Sequence, residues 1–84
     1  MKMNKDYMLY NLKEACKQLN EIIKELETNS DYNYGECIID MQHTYHHLNT
    51  AWNAKESTKE EANECSKDNF AKWRQFPDDI YMGI

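Results

Sequence analysis

The chain has 84 residues, with 15 acidic side chains against 10 basic ones and a formal net charge of −5. A chain of this length forms one domain and buries only about 60–65% of its unfolded surface, so its own core is marginal and oligomerisation is a common remedy. The acidic balance disfavours DNA, RNA and anionic membranes as partners, because these require a basic surface. A small anionic ligand held by a few local lysines is compatible with it.

Glycine and proline are scarce, with two and one in the chain, which favours helices over tight turns. The N-terminus is polar, and no apolar run approaches the length of a membrane span. The three cysteines lie far apart without paired spacing. We therefore expect an all-α, cytoplasmic protein whose Cys16, Cys37 and Cys65 are reduced and buried.

The first predicted helix spans about residues 4–27, with Asn4 or Asp6 as its cap. Apolar residues at alternating spacings of four and three predict the seam of an antiparallel hairpin: Met8, Leu12, Ala15, Leu19, Ile22 and Leu26. A flank beside this seam, formed by Leu9, Cys16 and Ile23, is suited to facing another protomer.

The same helix carries a basic row on the side opposite the predicted seam. Tyr10, Lys17 and Lys24 are seven residues apart, and Lys13 lies beside them. A tyrosine in line with lysines offers a nucleobase a ring to stack on and its phosphates ammonium groups to pair with. A charge row alone is more often a solvated surface, so both interpretations stay open.

The second predicted helix, about residues 35–55, follows a short polar break in which Ser30 or Asn33 is the cap, so it returns antiparallel to the first. Its apolar stripe is spaced by three and four, and small neighbours let another helix approach: Ile38, Met41, Tyr45, Leu48 and Trp52, with Cys37, Thr44 and Ala51. Its polar flank is formed by His46, His47, Asn49 and Asn53. These side chains either hold a polar network between helices or line a second pocket.

The C-terminal third begins with a doubled capping box, Ser57 with Glu60 and Thr58 with Glu61, so residues 58–63 read as a frayed helical piece. Ser66 starts a short third helix over residues 66–76, and Pro77 ends it. An aromatic edge on this helix consists of Phe70, Trp73 and Phe76. The tail, residues 77–84, is apolar and is expected to pack, on a neighbouring protomer. Residues 1–84 thus form a single domain, an antiparallel helical hairpin with a short C-terminal helix that assembles as a helical homo-oligomer.

An enzymatic role finds little support in the sequence. Glu36, Asp40, His43 and His47 share one line of the second helix, and the last three could hold zinc or iron. The first helix offers no inward Glu or His to complete such a site. The chain also lacks a glycine-bearing nucleophile turn and a phosphate-binding glycine loop. We expect no metal, no cofactor and no catalysis.

Two blocks, HHLNTAWN at residues 46–53 and FAKWRQFPD at residues 70–78, resemble the phage anti-CBASS cyclic-nucleotide sponge family. Anti-Thoeris sponge proteins share that family's helical hairpin. The likeness covers about a fifth of the chain. It implies a small helical homohexamer acting in the cytoplasm of an infected bacterial host. Such proteins bind cyclic dinucleotides and trinucleotides, cyclic GMP–AMP above all, and sequester these immune signals without cleaving them.

The resemblance also implies site residues. In the family a tyrosine and a lysine of the first long helix contact the ligand at a protomer boundary, and C-terminal residues close the pocket. This assigns ligand binding to Tyr10, or Tyr7 in its place, to Lys17, Lys24 and Arg74, and to Met82 and Gly83 of the tail. The family often has an arginine at the position of Lys55. The lysine keeps the positive charge but lacks the bidentate hydrogen bonding of a guanidinium group.

A different class of function remains as the alternative. A small helical module without a nucleotide ligand would bind another protein through its tail or through the flank formed by Leu9, Cys16 and Ile23.

Overall fold

The computed structural model describes residues 2–83. Four helices follow one another, α1 (Lys5–Thr28), α2 (Tyr34–Asn53), α3 (Lys59–Glu64) and α4 (Lys67–Trp73). No strand occurs between residues 2 and 83, so the predicted all-α class is confirmed. Within the same range, no helix combines the length and the apolar character that crossing a membrane would need.

α1 and α2 form the predicted antiparallel hairpin. The Asn4 amide N–H donates a hydrogen bond of 2.7 Å to the Lys55 carbonyl, which joins the start of α1 to the end of α2. Midway along, His47 Nδ1 lies 3.0 Å from Asn11 Oδ1. The bounds of both helices fall within one or two residues of the predicted ones.

Side-chain caps explain where each helix begins. Asn4 caps α1, Asn33 caps α2, Thr58 caps α3 and Ser66 caps α4, each accepting a hydrogen bond from a backbone N–H three residues on. Thr58 and Glu61 form the full reciprocal capping box. The predicted frayed piece is therefore a capped helix, and Thr58, not Ser57, is its cap.

The predicted seam of α1 is wrong by one residue. Ala15 and Ile22 are buried as expected, but the third buried residue is the polar Asn11, and Leu12, Leu19 and Leu26 are exposed. The buried residues of α2 are also small or polar: Thr44, Asn49, Thr50 and Ala51. Small side chains let the two helices pack closely, and the leucines are displaced outwards.

Other expectations are also corrected. Cys16 is exposed, and Cys37 and Cys65 are only half-buried, so the thiols do not form the predicted buried set. Beyond Asp79 the tail is exposed in the single chain, with Tyr81 at 89% and Met82 at 81%, so its packing on a neighbouring protomer stays a prediction. Ile84, the last residue of the predicted tail, lies outside the described residues.

α4 ends at Trp73, three residues before its predicted end, where Pro77 has no N–H to donate to the Trp73 carbonyl. Side chains of α2 satisfy the carbonyls at this end. Asn53 Nδ2 donates to the carbonyls of Trp73 (2.8 Å) and Gln75 (2.6 Å), and Asn49 Nδ2 donates to that of Arg74 (2.9 Å). The last carbonyls of a helix have no partner within it, so these amides satisfy groups that would otherwise need water. The same contacts hold Trp73, 4% exposed, against the hairpin.

Replacing Asn49 with alanine tests this arrangement. Asn49 is buried, so Asn49→Ala leaves the Arg74 carbonyl without its partner, and we expect the free energy of unfolding to fall by about 1–3 kcal/mol. Chemical denaturation followed by circular dichroism measures it. Asn20→Ala, at an exposed site on α1, is the control and should be unchanged or slightly more stable. Equal stability of the two variants would contradict the role given to Asn49.

Candidate functional site

A cleft of about 780 Å³ opens between the start of α1 and the segment that carries α3. We call it the N-terminal cleft. Among its lining residues are two tyrosines, three lysines and two acids: Tyr7, Tyr10, Lys2, Lys5, Lys59, Asp6 and Glu56. Its volume lies in the range that small-molecule sites occupy, about 300–1,000 Å³.

The two tyrosines of the cleft stack on each other, with ring centroids 6.4 Å apart and planes 8° apart. Behind them, Tyr7 meets the Trp73 ring edge-on at 5.9 Å, and Tyr10 meets the His47 ring at 6.4 Å. Tyr10 is 55% exposed, so part of its ring remains open to a ligand. The sequence left Tyr7 and Tyr10 as alternatives, and the structure places both in one cleft.

The Tyr7 hydroxyl is held in its neutral form. Burial raises the pKa of Tyr7, and the nearby Cys65 thiol adds to the rise, whereas a hydrogen bond from Asn11 partly opposes it. At neutral pH this hydroxyl therefore donates and accepts hydrogen bonds and does not act as a phenolate nucleophile.

The three lysines give the cleft a local excess of positive charge. Lys2, Lys5 and Lys59 face two acids there, whereas the chain as a whole has a net charge of −5. Between residues 2 and 83 the structure shows one ion pair, Lys55 with Asp79, so the cleft lysines are free to pair with an anion. Sequence reasoning missed them, because Lys59 reaches the start of α1 only after the chain has folded back.

The predicted lysines lie elsewhere on α1. Lys17 and Lys24 border a shallow hollow of about 470 Å³ formed by α1 alone, together with Lys13 and Glu21. At a rise of 1.5 Å per residue, Tyr10 and Lys24 are about 21 Å apart along the helix axis. Tyr10 and Lys24 therefore line different hollows of the chain, the N-terminal cleft and the hollow on α1.

The predicted C-terminal residues do not join the cleft either. The Arg74 guanidinium lies 5.3 Å from the centre of the Phe70 ring, at the end of α4. Met82 is exposed, and Gly83 lies against the Tyr81 ring in the tail. None of these three predicted site residues lines the N-terminal cleft.

Lys55 is engaged within the chain. Its Nζ atom lies 4.2 Å from the centre of the Trp52 ring and 3.5 Å from the Asp79 carboxylate. Trp52 Nε1 donates a hydrogen bond of 2.8 Å to the same carboxylate, which together with Lys55 lowers the pKa of Asp79. These contacts tie the start of the tail to α2, so Lys55 serves packing in this arrangement.

The two blocks that carry the resemblance pack against each other. Asn49 and Asn53 of the first block donate to backbone carbonyls at residues 73–75 of the second. The rings of His46 and Phe70 lie 5.0 Å apart, centre to centre. The spacing between the blocks thus reflects the contact of α2 with α4, and both asparagines are structural in this arrangement.

Three histidines of α2 cluster beside this contact. The rings of His43, His46 and His47 lie 4.9–6.3 Å apart, and the buried Nδ1 of His46 has no hydrogen-bond partner in the described chain. Residues 2–83 contain no group of three or more His, Cys, Asp or Glu side chains arranged to hold a metal ion. Asp40, one of the possible ligands, instead accepts a hydrogen bond of 2.6 Å from the Tyr32 hydroxyl.

Comparison of the chain with protein-family models, with curated proteins and with solved structures gave no match. The chemistry that bears on function is that of the N-terminal cleft, where aromatic rings lie beside lysines on an otherwise acidic protein.

The histidine cluster predicts a pH-dependent stability. Burial lowers the pKa of His46 and of His47, and repulsion from neighbouring histidines lowers both further. Arg74 also lowers the pKa of His46, whereas Glu14 partly raises that of His47. Both pKa values lie below the ordinary value of about 6.5, so the unfolded chain binds more protons in the window between them. The contribution of the two neutral histidines to stability is fully present above about pH 6.5. It is lost as the pH falls towards the pKa values of the folded chain.

Thermal unfolding between pH 7.5 and 5.5 measures this effect. We expect the melting temperature to fall with pH in the wild type and to fall less in the double variant His46→Gln/His47→Gln. His43→Gln, at an exposed position, is the control and should retain most of the pH dependence. An undiminished dependence in the double variant would assign it to other groups.

Proposed function

We propose that the protein is a non-catalytic sponge that binds and sequesters cyclic dinucleotide and trinucleotide immune signals, such as cyclic GMP–AMP. In the cytoplasm of an infected bacterial host, this would block CBASS anti-phage signalling. The observation that carries the proposal is the N-terminal cleft, in which stacked Tyr7 and Tyr10 lie beside free lysines. The resemblance of residues 46–53 and 70–78 to the sponge family supports it.

The chemistry of the cleft suits such a ligand. A cyclic dinucleotide carries two phosphate charges and two bases, so an acidic protein binds it only by concentrating a few cations beside aromatic rings. The cleft provides both kinds of group, a ring on which a base can stack and ammonium groups that can pair with a phosphate.

Assembly is the second part of the proposal. Two rows of exposed or half-exposed apolar side chains run along the hairpin at heptad spacing, and we call them the outer apolar face. The row on α1 consists of Leu9, Leu12, Cys16, Leu19, Ile23 and Leu26. The row on α2 consists of Tyr34, Ile38, Met41, Tyr45, Leu48 and Trp52. Heptad spacing is typical of helices that pack on other helices.

Helix geometry places both rows on one side of the hairpin. In each helix the outer residue directly follows an inner one, as Cys16 follows the buried Ala15 and Tyr45 follows the buried Thr44. A step of one residue turns the side chain by about 100° around the helix axis. In two antiparallel helices that face each other, this step moves from the facing rows to the same face of the hairpin. Tyr45 contacts the Phe76 ring and Trp52 contacts Lys55 and Asp79, so these two are partly covered within the chain. A patch formed by the other ten still exceeds the scattered exposure that is normal for a monomer, which supports a homo-oligomer and, from the resemblance, a homohexamer.

The basic row of α1 lies away from this face. Tyr10, Lys17 and Lys24 are about 110–150° around the helix from the apolar row, so assembly through the outer apolar face leaves them accessible. Because Tyr10 and Lys24 are about 21 Å apart in one chain, both contact one ligand only when different protomers contribute them.

Calorimetry with cyclic GMP–AMP tests the function. We expect binding by the wild type, recovery of intact nucleotide after heat denaturation, and a loss of roughly 1.5–3 kcal/mol of binding free energy in Lys24→Ala, the scale of a lost charged hydrogen bond. Lys67→Ala, which removes an exposed lysine of α4, is the matched control and should bind like the wild type. Cleaved nucleotide after denaturation, or no binding at all, would refute a sponge.

A helical protein-interaction module is the second candidate, and the outer apolar face is the observation that favours it. Such a module would cover this face with a different protein and would ignore cyclic nucleotides. The state of the purified chain distinguishes the two, because a self-assembling sponge covers the face with its own copies.

Sedimentation measures the assembly. We expect an oligomer for the wild type and a smaller species for Leu19→Glu, because a carboxylate in the centre of the outer apolar face opposes its burial. Asn20→Glu introduces a carboxylate at the next residue of α1, which is not part of the apolar row, and should assemble like the wild type. A monomeric wild type would favour the interaction module.

A further inference from the structure

The walls of the N-terminal cleft are tied together within one chain. Asn4 Nδ2 donates to the Ser57 carbonyl at 3.1 Å and approaches the Ser57 hydroxyl at 3.3 Å, and the Asn4 N–H donates to the Lys55 carbonyl. The start of α1 is thereby fixed to the segment that leads into α3. A ligand in the cleft would meet a preformed shape, which reduces the ordering cost of binding.

Two of the cleft lysines stand at positions that helices disfavour for a cation. Lys5 is the first residue of α1, and Lys59 is the first residue of α3. The N-terminal end of a helix carries partial positive charge, so an ammonium group there is mildly unfavourable, whereas an anion is stabilised. A bound phosphate would be attracted by both lysines. The N–H groups at the start of α1 contribute little, because that of Lys5 donates to the Met3 carbonyl and that of Tyr7 donates to the Asn4 side chain.

The tyrosine pair supplies the other half of a nucleotide site. Tyr7 is fixed from behind by Trp73 and by its stack on Tyr10, which leaves the exposed part of the Tyr10 ring as a platform for a base. Base–aromatic stacking is a common mode of nucleotide binding and tolerates different bases. Asp6 and Glu56 also line the cleft, so its charge favours one phosphate group over a long polyanion.

We propose that the N-terminal cleft of each protomer is a complete subsite for one nucleotide unit, with the base on Tyr10 and the phosphate between Lys5 and Lys59. The inference deepens the proposed function, on which it rests for the cyclic ligand: each cleft holds one nucleotide of the ring. It also predicts that a single unassembled protomer binds a linear mononucleotide.

Titrations of 5′-GMP, guanosine and ribose 5-phosphate into the assembly-deficient Leu19→Glu protein test this subsite. We expect 5′-GMP to bind more tightly than either fragment. Lys5→Ala and Lys59→Ala should each weaken 5′-GMP binding at least about fivefold and leave guanosine nearly unchanged, as expected for a lost phosphate contact. Tyr10→Ala should weaken 5′-GMP and guanosine but not ribose 5-phosphate.

Controls and contrary outcomes separate this inference from the sponge proposal. Lys67→Ala should bind 5′-GMP like its parent, and circular dichroism confirms that each variant remains helical. Cyclic GMP–AMP binding that is unaffected by Lys5→Ala and Lys59→Ala would overturn the subsite while leaving the sponge. Binding of 5′-GMP by Leu19→Glu without any binding of cyclic GMP–AMP by the wild type would support the subsite and overturn the sponge. Failure of Leu19→Glu to bind 5′-GMP together with failure of the wild type to bind cyclic GMP–AMP would overturn both.

Discussion

The structure depends on the two side-chain amides of α2 that satisfy the carbonyls at the end of α4. Asn49 and Asn53 together satisfy three consecutive carbonyls, and these bonds hold the end of α4 on the hairpin. Their placement buries Trp73, which supports Tyr7, which in turn stacks on Tyr10. The ring platform of the N-terminal cleft is thus connected to a polar contact on the other side of α2.

The hairpin carries its polar and apolar rows in an unusual order. Its inner side includes Asn11, hydrogen-bonded to His47, and the small Ala15, whereas leucines and isoleucines lie outside. The buried apolar residues of the described chain are few, namely Ala15, Ile22, Ala51, Ala54 and Trp73. Much of the hydrophobic free energy available to this sequence would be realised only when the outer apolar face is covered, which connects folding to the proposed assembly.

The proposed binding and the proposed assembly would use different sides of α1. The outer apolar face follows the inner row by one residue, and the row of Tyr10, Lys17 and Lys24 lies beyond it around the helix. A protein built in this way can assemble through one side and bind an anionic ligand on another. In an acidic chain, this separation lets the few lysines near Tyr10 remain unpaired by the protein's own carboxylates.

Part of the candidate site was visible in the sequence. The sequence points to Tyr10 because it lies in line with lysines that suit a nucleobase and its phosphates, and to Tyr7 as its alternative from the resemblance; the structure places both in the cleft. Lys5 and Lys59 were missed, because 54 residues separate them and only the return of α2 brings them together. Asn49 and Asn53 were singled out as unexplained polar residues, and their partners became evident only with α4 in place.

Local chemistry in the sequence determined that the chain is helical and that α1 and α2 form a hairpin, and it limited most helix starts to two candidate caps. Caps such as Asn4 and Thr58 act within three residues of themselves, so their residue types are recognisable without any tertiary contact. Only the tertiary structure decided which row of α1 faces α2. The row of Leu12 and Leu19 lies only about 60° around the helix from that of Ala15 and Ile22, and both repeat at heptad spacing. Periodicity cannot choose between such rows, because the choice depends on how closely the partner helix can approach.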